Sequence, residues 1–217
     1  MRIEKLFSEA DLESIRDATA QAESRTGGEI VPYIVERVVD RGAARWRGAT
    51  MGALGLALVA GLANYFGEFW SAAGVMWITL PASLGAGLGY LITGIDAVGR
   101  HLISSDVIDW YVQLRAKSAF LEEEVFSTAD RTGILIFVAL YEHGAVILAD
   151  EGIHRAVPKG EWEKLVARLV IGIKEGRACE ALKETIGRCG EVLERFEVTL
   201  REDDEDELAN EPRVRER

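Results

Sequence analysis

Three acidic residues stand where the pattern of the chain places strand ends: Asp130, Asp150 and Glu151. Asp150-Glu151-Gly152 closes one apolar stretch, and Asp130-Arg131-Thr132-Gly133 opens another. Carboxylates gathered at a strand end can ligate a hard divalent cation, Ca²⁺ or Mg²⁺, and a cation held there polarises a phosphoryl oxygen. Ligands of open α/β sheets collect at the carboxyl ends of strands. That rule favours Asp150, Glu151 and Gly152, or the end of the first strand near Glu36, as the place for a metal or other ligand, and it leaves Asp130 as a helix cap or ion-pair partner. His154 adds a nitrogen donor only if the turn folds back toward Asp150. The competing reading is plain: acidic residues after a strand also serve as turn formers and helix caps. His101 and His143 are dispersed, and no Walker motif, dinucleotide fingerprint, zinc spacing or nucleophile elbow occurs. The run Glu202–Glu207 offers oxygen ligands but lacks the spacing and turn glycine of a dedicated Ca²⁺ loop, so it reads as a solvated tail.

The elements that must position these acids follow from periodicity. Ser8 and Asp11 have the spacing of a capping box, and Leu12, Ile15, Ala18 and Ala22 continue as one helical face. Thr26-Gly27-Gly28 ends that helix, and Glu29–Val35 reads as a strand. A long amphipathic helix is expected over Asp106–Phe126, packing on the sheet from Leu114 onward. Trp110 and Tyr111 suit either the sheet or a membrane interface. Ile134–Leu140 is a continuous apolar run and therefore a buried central strand. Glu142-His143-Gly144 is a tight turn, and Ala145–Ala149 the antiparallel return. Two helices then follow, one carrying Trp162, Leu165, Leu169 and Ile173, the other Leu182, Ile186, Cys189 and Leu193. From Thr199 the chain is expected to be a loose, charged tail. This order describes a small α/β sandwich with helices covering a mixed sheet.

One feature interrupts that domain. Gly48–Phe66 and Phe69–Ile95 are apolar stretches without a charge, separated by Gly67 and Glu68. About 20 apolar residues cross the hydrocarbon core as a helix, so the pair reads as a transmembrane hairpin. Arg37, Arg41, Arg45 and Arg47 precede it and Arg100, His101, Arg115 and Lys117 follow, which places both flanks in the cytoplasm. A domain split by an even number of spans needs the same topology. Gly48 and Gly52, Ala57 and Gly61, and Gly85 and Gly89 form small-residue faces for packing the two spans together or for homo-oligomer contacts. No ionisable residue lies within the spans to mark an ion pathway.

Composition narrows the partners. The 217 residues carry a net charge of −11, and nucleic acid, which needs a basic face, is not expected as a partner. Cys179 and Cys189 fall on one helix about 15 Å apart, too far for a disulfide. The N-terminus has no apolar core of a cleaved signal, so the hairpin itself is expected to direct insertion.

Glu23-Ser-Arg-Thr26-Gly-Gly-Glu29-Ile30 leading into the first strand, Thr132-Gly133-Ile-Leu-Ile-Phe-Val, and a return strand closing on Asp150-Glu151-Gly152-Ile153 resemble the TPM-domain family. The resemblance covers about Ser8–Glu36 and Ser118–Leu200. It implies an α/β/α sandwich and relatives of divergent role. Some are thylakoid-lumen proteins linked to photosystem II repair, with acid phosphatase activity and Ca²⁺ binding; others are non-catalytic membrane accessory proteins. The chain departs from the pattern in having its hairpin inside the domain and a cytoplasmic topology. The expected organisation is residues 1–40 and 100–200 as two parts of one TPM-like domain, 46–97 as the hairpin, and 201–217 as an acidic tail. The expected role is a non-catalytic interaction, assembly or quality-control factor for membrane proteins, in the cell's inner membrane. A divalent-cation-dependent, acid phosphatase-like enzyme is the alternative; for it the resemblance implies catalytic acids at Asp150 and Glu151, with Asp130, and Ca²⁺ or Mg²⁺ held by Asp150 and Glu151.

Overall fold

The computed structural model describes residues 7–39, 41–67, 75–95, 98, 104–198 and 207–216. They fall into two compact units, Met1–Val38 with Ile108–Arg217, and Val39–Val107. Among the described residues, the element order is α1 (Glu9–Glu23), β1 (Glu29–Val35), α2 (Arg41–Gly67), α3 (Met76–Ile92), α4 (Ser105–Glu122), β2 (Gly133–Ala139), β3 (Gly144–Ala149), α5 (Glu151–Ala156), α6 (Lys159–Lys174), α7 (Ala178–Arg195) and β4 (Arg213–Arg215).

The first unit is a mixed α/β fold around a four-stranded sheet of order β3-β2-β1-β4. β1 runs parallel to β2 and to β4, and β2 runs antiparallel to β3. Both central strands are buried along their whole length, which is why neither shows apolar–polar alternation. Helices cover both faces. On one, Ile30, Ile34, Ile134, Ile136 and Ile147 meet Ile15 of α1, Leu165 and Leu169 of α6, and Leu182, Ile186 and Leu193 of α7. On the other, Val31, Tyr33, Leu135 and Phe137 meet Val112, Ala116 and Ala119 of α4.

α1 begins with the expected box. The Asp11 amide donates to Ser8 Oγ, 3.2 Å, and the Ser8 amide donates to Asp11 Oδ2, 2.9 Å. Its last residue, Glu23, accepts the Ile30 amide at 2.7 Å. That bond matters because β4 covers only Tyr33–Val35 on this side of β1. Pro32, which has no amide to donate, also faces the uncovered stretch, so a proline sits in an inner strand at no loss of ladder.

Two expectations are corrected. Leu114 and Leu121 do not pack on the sheet: they are 50% and 64% exposed, as is Trp110 at 59%. α4 instead buries its small side chains, and only alanines at those positions let the helix axis approach the stacked rings of Tyr33 and Phe137. The tail is not loose over 207–216, because Arg213-Val214-Arg215 joins the sheet beside β1. Arg37, one of the flanking basic residues, is buried, and its guanidinium stacks on the Tyr141 ring, 3.5 Å from the centroid.

The second unit is the helix pair α2 and α3. Ala44–Phe66 is long and apolar enough to cross a membrane, about 34 Å at helical rise. Met76–Ile92 is a shorter apolar helix, about 26 Å, so the long second run expected from the sequence is helical over a briefer span. Its first residues, Phe69–Gly74, and the turn residue Glu68 lie outside the described residues. The helices touch through glycine. A Cβ at Gly52 would overlap the Gly85 carbonyl, one at Gly85 the Gly52 carbonyl, and one at Gly89 the Gly48 carbonyl. Three of the expected small-residue positions thus serve intramolecular packing, and Gly48, against Thr93 and Gly89, is a fourth. Gly61 has nothing within 4 Å.

Candidate functional site

The loop between α4 and β2 and the junction between β3 and α5 meet at one end of the sheet. Arg131 sits there in the left-handed region, φ 58°, a conformation uncommon for a side chain of this size. Local bonds hold it: its amide donates to the Thr128 carbonyl at 3.1 Å, and the Thr132 amide donates to Thr128 Oγ1 at 2.8 Å. The turn aims the guanidinium at Asp150. Nε donates to Oδ2 at 2.6 Å and Nη2 to Oδ1 at 2.9 Å. This is the two-pronged geometry in which an arginine–carboxylate pair is strongest.

Asp150 has further duties. Its Oδ1 accepts the Glu151 amide at 2.8 Å and so caps α5, and its own amide donates to the Gly133 carbonyl at 2.9 Å. The carboxylate is 5% exposed. Gly152 completes the junction. Its amide donates to the Arg131 carbonyl at 3.0 Å, and a Cβ there would overlap the carbonyls of Asp130 and Arg131. The hydrogen bonds that Arg131 donates to Asp150 hold its guanidinium above its ordinary pKa.

The three sequence-predicted acids therefore divide. Asp150 spends both oxygens on Arg131 and the α5 cap. Glu151 is exposed and pairs with Arg155 at 2.6 Å, one helical turn on. Asp130 is exposed, with its backbone carbonyl against Gly152. His154 is exposed on α5. Among the described residues no group of three or more His, Cys, Asp or Glu side chains could hold a metal ion. A cation seated on Asp150 would first have to displace a bidentate guanidinium. Both carboxylates of the expected metal pair, Asp150 and Glu151, are thus engaged by arginines, and the junction ties loop, strand and helix together. The acidic run falls outside the described residues up to Asp206; Glu207 accepts the Ala129 amide at 2.9 Å.

Two polar assemblies were not foreseen. The first lies where β4 joins the sheet. Arg115 Nη2 donates to the buried Tyr33 hydroxyl at 2.7 Å, while Arg213 and Arg215 share Glu123 at 3.1 and 3.4 Å. Its signal was the charged–apolar–charged alternation of Arg213-Val214-Arg215, hidden inside a strongly charged tail. The second is an open cleft of about 500 Å³ whose lining includes Asp11, His143, Lys174, Arg177, Cys179 and Lys183. Burial pushes the Cys179 thiol above its ordinary pKa, so it stays protonated at neutral pH and is a poor nucleophile. Cys189 is fully buried and shifted the same way.

No protein-family model and no curated protein matches this chain. Among solved structures it is similar to the BA42 protein from the psychrophilic bacterium Bizionia argentinensis, determined by NMR, with a TM-score of 0.60 and 20% identity over 98% of each chain. At that identity the likeness is one of fold.

Proposed function

We propose that this protein is a membrane-anchored, non-catalytic interaction module, an assembly or quality-control factor for other membrane proteins. The observation that carries it is the surface of the helix pair. α2 and α3 meet backbone to backbone through glycines and turn Leu54, Leu58, Leu62, Phe66, Leu80 and Leu84 outward, each at least 49% exposed. Water penalises that arrangement, and a bilayer favours it. Read as two spans of the inner membrane, the pair leaves both parts of the α/β unit in the cytoplasm. The resemblance to TPM domains, some of which are membrane accessory proteins, points the same way.

Alkaline carbonate extraction of membranes carrying the full chain tests the anchor. The protein is expected to stay in the pellet, with reporters fused at either end facing the cytoplasm; release into the supernatant overturns the anchor. The non-catalytic half is tested with p-nitrophenyl phosphate. Asp150→Asn keeps a side-chain oxygen for the α5 cap, where asparagine serves as well as aspartate, but loses the charge that pairs with Arg131; it is expected to lower stability, with no cation-dependent hydrolysis present to lose. Mg²⁺- or Ca²⁺-dependent turnover that Asp150→Asn abolishes in a folded protein would favour the phosphatase alternative.

A further inference from the structure

The two edges of the sheet are finished differently. Along β1, β4 covers Tyr33–Val35, the Glu23 carboxylate takes the Ile30 amide, and Pro32 removes a donor. Those are devices by which a protein blunts an edge. β3, at the opposite edge, has none of them. The bond from the Asp150 amide to the Gly133 carbonyl sets the parity of the antiparallel ladder, so Leu148, Val146 and Gly144 bond to β2. The amides and carbonyls of Ala145, Ile147 and Ala149 point away from the sheet, and these amides make no hydrogen bond to the described residues.

The open edge is the floor of a groove of about 620 Å³. Its α6 wall carries Trp162 and Val166, and its α4 wall carries Lys117. Lys159 and His154 lie at its rim, with Glu163 as the one lining carboxylate. Two lysines against one carboxylate leave the lining with a net positive charge on a chain of net charge −11. The groove has three properties of a strand-addition site: unpaired main-chain donors and acceptors at alternate residues, an apolar pocket on one face, and a positive charge on the other.

We infer that β3 accepts an extended acidic segment of a partner protein, which adds to the sheet as a fifth strand. Its alternate apolar side chains lie against Trp162 and Val166, and its alternate carboxylates face Lys117. About six residues, some 20 Å of strand, match the length of β3. This deepens the interaction reading above, and it is tested apart from membrane attachment.

The probe is a fluorescein-labelled heptapeptide of alternating valine and glutamate, titrated by anisotropy against the full chain in detergent micelles at low salt. Saturable binding is expected, with amide exchange at Ala145, Ile147 and Ala149 slowed at least tenfold. N-methylation of alternate peptide amides, which removes main-chain donors and keeps the charge, is expected to weaken binding at least tenfold. Replacing glutamate by lysine in the peptide is expected to do the same, as is Lys117→Glu in the protein. Ala149→Pro blocks the edge from the protein's side; because it can also disturb folding, the methylated peptide on the unaltered chain is the deciding comparison. Absence of binding, or equal binding of the methylated peptide, overturns strand addition. Equal binding of the lysine peptide overturns the acidic partner.

Discussion

In the α/β unit, Leu169, Leu182, Ile186 and Leu193 fill the space between the sheet and its helices. In the helix pair, Gly48, Gly52, Gly85 and Gly89 let the backbones of α2 and α3 come into contact. The first arrangement draws its stability from removing apolar surface from water. The second gains little that way, since its large side chains point outward, and relies on close backbone contact. The same composition of leucine, alanine and glycine is thus used in opposite senses. What decides between them is whether the bulk lies inside or outside the helix contact.

Mutations can break this contrast. The largest effect is expected from Leu182→Ala, which opens a cavity beneath a residue only 1% exposed. It should destabilise the α/β unit by about 2–5 kcal/mol. Near-ultraviolet circular dichroism during thermal melting in detergent would record it, with the helical signal of α2 and α3 persisting past that transition. An unchanged melt would show that this face of the sheet is not the core. Next comes Gly52→Leu, where the added side chain meets the Gly85 backbone. Overpacking of about 1–3 kcal/mol should separate the helices. Gly61→Leu, with nothing within 4 Å of the added Cβ, should leave the melting of the pair alone. Equal damage by both would mean that the close contact at Gly52 is not what holds the pair together, since leucine is the better helix former at either position.

The smallest effect is sought at the α1 cap. The backbone bond from Ser8, followed by its hydroxyl, holds the Asp11 carboxyl below the usual aspartate range. A depressed folded-state pKa contributes stability that is present above the unfolded value, about 3.9, and is lost as pH falls through the folded value. Ser8→Ala should cost about 0.5–1 kcal/mol at neutral pH and flatten that acid limb in urea melts recorded from pH 6 downward. A limb of unchanged slope would mean that the Ser8 hydroxyl adds nothing to the hold of the Ser8 amide on the Asp11 carboxyl.

What could be read before the structure was whatever a local pattern encodes. β1 runs over the residues its composition marked, and β2 and β3 begin one residue earlier than expected. The capping box at Ser8 and Asp11 formed as its spacing required. α5 escaped because six residues after a strand look like a turn, and Asp150 in its acidic setting looks like a ligand. Its partner Arg131 lies 19 residues upstream, and no pattern along the chain joins the two. β4 escaped because a strand of three residues has no periodicity to detect, and its neighbours are chosen by tertiary contact with Glu123 and β1. The exposed leucines of α4 misled for a related reason: apolar spacing identifies a helix face but not what the face meets.

The insertion of the helix pair also orders the events of synthesis. β1 leaves the ribosome first, yet Glu29 takes its place opposite Gly133, so its first strand partner follows roughly a hundred residues later. At about 5–20 residues per second, that is a wait of roughly 5–20 s for an apolar strand with both edges bare. The intervening helices emerge during that interval and can be handed to a membrane before the sheet exists. Until β2 emerges, a nascent chain must carry Ile30, Val31, Tyr33, Ile34 and Val35 unpaired, an exposed apolar edge of the kind that chaperones shield.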